Sequence, residues 1–250
     1  MPALCFSVSN LRFWYQGVLQ AGGEVNLPDD LSHRLKHVLR LAAGQSIWLF
    51  NGSGVEYQAK LHLAQGSKCF SAAIINTRPA NVASPLTIHL VQAIAKRDKM
   101  DWIIQKASEL GVYSFTPLVT ERVEAKGSDK RGEHWRSVAI AAAEQTQRDL
   151  PLEVRATTSF KEFLASSIGG TIILLEPSAT LSMATWLNTI TPIDELTILV
   201  GPEGGWSEAE IALAKAASCQ VLQLGPRILR TETASIVAAT LLQAAFGDLK

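Results

Sequence analysis

The stretch TILVGPEGGWSEAEIALAKAASCQVLQLGP, residues 197–226, changes its period twice. A solid Ile/Leu/Val run is followed by a Gly/Pro turn, then "SEAEIALAKAA" at helical spacing, then a second apolar run, "CQVLQLG". Ser207 with Glu210 three positions on forms a capping box, and Trp206 and Ile211 are placed for a hydrophobic staple. Strand, helix, strand is one α/β unit. Strands this uniformly apolar are buried on both faces of a mostly parallel sheet.

The same alternation extends outward. "LTIHLVQAI" (86–94), "YSFTPLV" (113–119) and "TIILLEP" (171–177) read as strands, while "DKMDWIIQKASEL" (98–110), "HWRSVAIAAAEQTQ" (134–147) and "ASIVAATLLQAAF" (234–246) read as helices. Residues 86–250 are therefore expected to be one α/β domain. Residues 1–75 follow another pattern. "SIWLFNGSGVEYQAKLHLA" (46–64) is a hairpin about Asn51-Gly52-Ser53-Gly54, and "LSHRLKHVLRL" (31–41) is a short basic helix. The expectation is a small β-barrel carrying one basic helix. The Pro/Asn/Ser-rich "NTRPANVASP" (76–85) is expected to link the two.

Composition bounds the function. Of 250 residues, 47% are hydrophobic and 18% charged, as in a globular chain. No apolar run reaches the roughly 18 residues of a membrane span, and the opening "MPALCFSVSNLRFWYQG" lacks the basic-then-apolar order of a secretory signal, so none is expected. Cys5, Cys69 and Cys219 are widely spaced without Cys-x-x-Cys, which suits reduced thiols in a cytosolic protein. Net charge is zero, yet residues 1–80 hold seven Lys/Arg against four acids. That local excess suits a polyanion partner or a plain solvated surface. The five histidines show no ligand spacing, so no metal is expected.

Three strand ends carry informative residues: "LLEP" (174–177), "LVGPEGGW" (199–206) and "LGPRILRTETA" (224–234). Ligands of open α/β sheets sit beyond the carboxyl ends of strands. Gly201, Gly204, Gly205 and Gly225 permit positive φ and close backbone approach, and Pro177, Pro202 and Pro226 stiffen the turns. Such a rim suits a heterocycle and its ribose, or is merely a set of turns. Neither a Gly-Lys-Ser/Thr phosphate loop nor GxGxxG is present, so a nucleoside fits better than a triphosphate.

"LVGPEGGWSEAE" followed by "LGPRILRTETASIVAATLL" resembles the RsmE family of 16S ribosomal RNA (uracil-N3) methyltransferases, in the SPOUT superfamily. "RLKHVLRL", "QKASELGV", "ERVEAK" and "HWRSVAIAAAEQTQR" match the family pattern in the right order, so the resemblance covers nearly the whole chain. It implies an N-terminal PUA-like barrel for RNA binding and a C-terminal knotted, parallel-sheet methyltransferase domain. It further implies S-adenosylmethionine as methyl donor, a homodimer, and methylation of N3 of a uridine in 16S rRNA of the small ribosomal subunit.

Carried onto this sequence, the motifs place Leu175, Glu176, Gly201, Leu224, Gly225, Ile228 and Leu229 in the donor pocket. N3 of uracil carries a proton, so the site must assist its loss and stabilise charge spreading onto the carbonyl oxygens. Arg230 is the candidate for that charge, because a guanidinium stays ionised and offers forked donors. Glu232 is a candidate base, an orienting partner of Arg230, or a helix-start residue; at a helix N-terminus the dipole weakens it as a base. Thr231 reads as the N-cap. Arg12, Arg34, Lys36 and Arg40 are the RNA-backbone candidates, with Arg12 alternatively a brace between domains, and Arg227 contacts RNA or is solvated. "ASIVAATLLQAAF" is apolar nearly all round, for a core or a dimer interface. Methylation of another RNA atom, such as a ribose hydroxyl, and a non-catalytic RNA-binding protein remain the alternatives.

Overall fold

The computed structural model describes residues 11–63, 69–81, 83–96, 99–123, 129–166 and 170–249. Cys5, Lys68, residues 124–126 of "ERVEAK" and the first ten residues of the expected barrel lie outside them. The chain divides into two compact units, Met1–Val82 with Ala143–Leu150, and Ala83–Ala142 with Pro151–Lys250.

In the first unit five strands form one sheet in the order β1-β3-β4-β5-β2. They are β1 (Arg12–Trp14), β2 (Glu24–Asn26), β3 (Ser46–Phe50), β4 (Val55–Leu63) and β5 (Phe70–Pro79). The expected hairpin is β3 and β4, antiparallel with Phe50 opposite Glu56. The basic segment is α1 (Asp29–His33) continued by a π-helical turn, Arg34–Val38. Leu31 and Leu35 from it join Phe13, Ile47, Leu49, Leu61 and Phe70 in the core.

Two expectations are corrected here. Residues 76–79 are strand, not linker, because β4 continues to pair with them as far as Val55 opposite Pro79. Residues Ala143–Leu150, expected in the α/β domain, belong to the first unit. Arg12 shows why. It is 6% exposed. Its guanidinium donates to Glu56 Oε1 at 2.9 Å and to the carbonyls of Ala143 and Arg148 at 2.7 and 2.8 Å, over the Phe50 ring at 3.7 Å. Burial pushes this guanidinium below its ordinary pKa, against the pull of Glu56. With its donors engaged inside the protein, Arg12 is removed from the RNA-contact candidates.

The second unit is an eight-stranded sheet in which every pairing is parallel. The strands are β6 (Thr87–Ala93), β7 (Ser114–Val119), β8 (Glu153–Val154), β9 (Thr158–Ser159), β10 (Thr171–Leu175), β11 (Leu181–Ser182), β12 (Glu195–Val200) and β13 (Gln220–Gln223). The helices are α2 (Lys99–Glu109), α3 (Asp129–Thr146, of which Ala143–Thr146 count with the first unit), α4 (Phe160–Ala165), α5 (Met183–Leu187), α6 (Glu208–Ala216) and α7 (Thr231–Phe246). The main path runs β11-β13-β10-β12-β6-β7-β8, with β9 on β7.

Strand alternation explains the solid apolar runs. Leu90, Ile173, Leu175, Ile198 and Val200 join the core cluster shared with Met100 and Ile103 of α2 and Ala238 and Leu242 of α7. Val91, Leu174 and Leu199, from the same strands, join the cluster of Phe160, Phe163, Trp206 and Ala214. Both faces are covered, so both phases of the strand must be apolar. In α7 the buried positions are Thr231, Ser235, Ala238, Ala239, Leu242 and Gln243, a single stripe, whereas Ile236 and Val237 are half-buried.

Candidate active site

Because β13, β10 and β12 are sheet neighbours, the loops after all three strands emerge side by side. They enclose an open cavity of about 290 Å³. Leu175 and Glu176 enter it from the first loop, Gly201 from the second, and Leu224, Gly225, Ile228 and Leu229 from the third. Arg230 completes the wall. The seven residues expected at the donor pocket are thus brought together with the expected charge-stabilising arginine.

Local chemistry shapes each loop. Glu176 Oε1 accepts from the Ser178 amide at 3.1 Å and hydroxyl at 2.8 Å, turning the first loop. Trp206 donates its indole N–H to the Leu175 carbonyl at 2.9 Å, joining the first loop to the second. Its ring lies so close to Gly201 that a Cβ there would stand 3.0 Å from it, so this glycine is needed for close approach and not for positive φ. Gly225, at φ +119°, does occupy the region that favours glycine, with open space where a Cβ would stand. The capping box of Ser207 and Glu210 is present, and buried Glu210 also accepts from the Glu121 amide at 3.0 Å.

Thr231 is not the N-cap. Arg230 occupies that position without a side-chain cap bond, and Thr231 is the first helical residue. The Thr231 hydroxyl instead donates to the Gly201 carbonyl at 2.6 Å and accepts from Gln92 Nε2 at 2.8 Å. Gln92 Oε1 in turn accepts from Ser235 Oγ, and all three side chains are buried. This network pins the second loop to the start of α7. Sequence reasoning missed Gln92 and Ser235; a polar residue next to the carboxyl end of its strand, the edge at which such sheets bind ligands, is the signal that singles out Gln92.

Glu232 is turned away from the role of orienting Arg230. It forms no ion pair with Arg230; its Oε2 lies 3.2 Å from Lys99 Nζ, which also contacts Glu203 Oε1 at 3.0 Å. Among the described residues the Arg230 guanidinium has no hydrogen-bond or ion-pair partner. Arg227 also borders the cavity, while Ile228 is 85% exposed at its mouth. Arg122, from "ERVEAK", donates to the Gly204 carbonyl at 2.7 Å, a contact the sequence did not reveal.

The RNA-backbone candidates lie in the first unit. Arg34 pairs with Glu144 at 2.7 Å, whereas Lys36 and Arg40 are exposed. Among the described residues no cluster of His, Cys, Asp and Glu is arranged to hold a metal, and no helix is long and apolar enough to cross a membrane.

A parallel sheet with a loop-built cavity at its carboxyl edge and a small β-rich unit are the two parts that the resemblance to RNA methyltransferases implies. Residues 82–243 match the RNA methyltransferase domain family, and residues 27–70 match the RNA methyltransferase PUA domain. The chain is 33% identical to the ribosomal RNA small subunit methyltransferase E of Buchnera aphidicola over 95% of its own length and 97% of that protein's. It is also similar to a Neisseria gonorrhoeae ribosomal RNA small subunit methyltransferase E solved with S-adenosyl methionine, with TM-score 0.86, 33% identity and coverage of 96% of this chain and 99% of that one. A Legionella pneumophila protein described as a methyltransferase, solved with bound SAM, gives TM-score 0.89 at 34% identity, covering 96% and 99%. The chain belongs to the ribosomal RNA small subunit methyltransferase E family.

Proposed function

We propose that the chain transfers a methyl group from S-adenosylmethionine to N3 of a uridine in 16S rRNA of the small ribosomal subunit. The observation that carries this reading is the cavity at the ends of β10, β12 and β13, where the seven donor-pocket candidates meet an unpaired Arg230. Leu175, Leu224 and Leu229 supply apolar walls for a heterocycle, and Gly225 leaves its Cβ position open, so the residues present fit the donor. The relatives solved with this donor support the same assignment.

When bound, S-adenosylmethionine supplies an electrophilic methyl group on a sulfonium. The chain's own residues do the rest. Loops pinned by Trp206 and Thr231 hold the reactants in line, which lowers the entropic part of the barrier. Arg230, with no partner among the described residues, is free to meet the negative charge that spreads onto the uracil carbonyl oxygens as N3 loses its proton. Lys36 and Arg40, with Arg34 beside them, are our candidates for RNA phosphate contacts, and the cytoplasm is the compartment this substrate implies.

Two structural expectations belong to the same reading. The half-buried apolar flank of α7 suits a homodimer interface. Insertion of β13 between β10 and β11, strands already made, suits the threaded chain that the family resemblance implies. The test is calorimetry with S-adenosylhomocysteine, tritium transfer from labelled donor to undermethylated small subunits, and digestion of the product. Binding, transfer and 3-methyluridine are expected. A 2′-O-methyl nucleoside would favour the ribose reading, and absent transfer a non-catalytic RNA-binding protein.

A further inference from the structure

Lys99, the first residue of α2, stands 3.0 Å from Glu203 and 3.2 Å from Glu232. Glu203 belongs to the second loop of the cavity and Glu232 to the first turn of α7. One ammonium therefore joins the two segments that meet at Arg230. The Lys96 amide also donates to Glu203 Oε1 at 3.3 Å, so that carboxylate is held from two directions. Glu232 Oε2 is buried without a hydrogen bond, which makes Lys99 its compensating charge. Without the ammonium, two carboxylates drawn to one nitrogen would face each other.

We propose that Lys99 is a positioning residue for methyl transfer, holding the cavity's second loop against the start of α7 by neutralising Glu203 and Glu232 together. The inference rests on reading the cavity as the methyl-donor site. Lys99 does not line that cavity, so it acts through the two glutamates. The tie from Thr231 to Gly201 is its uncharged companion, and the two ties engage the two residues that follow Arg230 in the chain. The bond to Glu203 raises the Lys99 pKa above its ordinary value despite partial burial, so Lys99 remains a cation and is not the proton acceptor. Burial pushes the Glu203 carboxyl up, but the bonds from Lys99 and the backbone outweigh it and hold it below the usual range. The other charges at these segments are Arg122 on the Gly204 carbonyl, exposed Arg230, and Asp101 of α2, which is paired with His134 at 2.7 Å.

The experiment compares wild type, Lys99→Met, Lys99→Arg and Lys99→Met/Glu203→Gln by S-adenosylhomocysteine calorimetry and tritium transfer between about pH 4.5 and 8.5, a window that spans the usual carboxylate range and about one unit above it. Lys99→Met should bind about tenfold more weakly at the alkaline end, the equivalent of one pKa unit of coupling. Its affinity should recover as pH falls, because like charge raises a carboxylate's pKa and proton uptake removes the repulsion. Wild type should show no such recovery. Lys99→Arg should stay within about threefold of wild type, and the double variant should regain most of the lost affinity at alkaline pH. Equal affinity of Lys99→Met and wild type, or a pH-independent loss that the double variant does not repair, would overturn the proposal. If Lys99→Met fails to fold, the double variant decides: it must fold and bind if charge compensation is the role. Failure of wild type itself to bind S-adenosylhomocysteine would instead sink the donor-site reading.

Discussion

The two units treat their arginines in opposite ways. In the first, Arg12 is buried and spends its donors on Glu56 and two backbone carbonyls. In the second, Arg230 sits exposed on a cavity wall without a partner among the described residues, on backbone pinned by its neighbours. Residue type alone made both candidates for function. Their partners separate them: a guanidinium already satisfied holds the fold, and one left unsatisfied on rigid backbone is available to a ligand.

The sharpest way to break this contrast is to remove both side chains in turn. Arg230→Ala should lower methyl transfer by about 10²–10³-fold, the range for deleting one preorganised donor to a developing anion, with S-adenosylhomocysteine affinity nearly unchanged. Equal losses in turnover and calorimetry would erase the distinction. Arg12→Ala should leave Glu56 to Arg78 alone and cost about 3 kcal/mol of stability in urea unfolding, since breaking a buried pair strands a charge. A loss under about 1 kcal/mol would mean that Arg12 is not the keystone its contacts describe.

Smaller effects refine the picture. Lys36→Ala and Arg40→Gly, the latter because Arg40 has φ +56°, should each flatten the salt dependence of RNA binding by about 0.7–0.9 in log–log slope. An unchanged slope in filter binding would remove that residue from the phosphate contacts. Burial pushes the Cys219 thiol above its ordinary pKa, so less thiolate forms near neutral pH. Native protein at mildly alkaline pH should therefore leave Cys219 unalkylated by iodoacetamide until denaturant is added, as read by mass spectrometry.

Much of the fold was legible because it is local. The hairpin at Asn51–Gly54, the capping box at Ser207 and the apolar strands each announce themselves within a few residues. The three loops were legible as a rim because strand ends are readable. That they meet depends on β13, β10 and β12 being neighbours, which is a matter of topology. Two-residue strands such as β8, β9 and β11 carry no periodicity to detect. Helix α4 was missed although Ser159 and Glu162 form its capping box, so there the signal existed.

The site's supporting contacts were out of reach for another reason. Gln92 bonds to Thr231 across 139 positions, and Lys99 meets Glu203 across 104. No pattern within either segment encodes its partner. Arg12 was left between RNA contact and a structural brace for the same reason, because two of its acceptors lie 131 and 136 positions away.

That last arrangement bears on how the molecule is dissected and made. Cutting the chain at Val82 would discard the carbonyls of Ala143 and Arg148, leave Arg12 with Glu56 as its remaining ion-pair partner and uncover that side of the interior. A fragment truncated there would lose stability for reasons unrelated to any affinity for RNA. During synthesis, the amino-terminal half cannot finish its own interior until translation has passed Leu150, so its maturation is timed by a segment embedded in the other half's sequence.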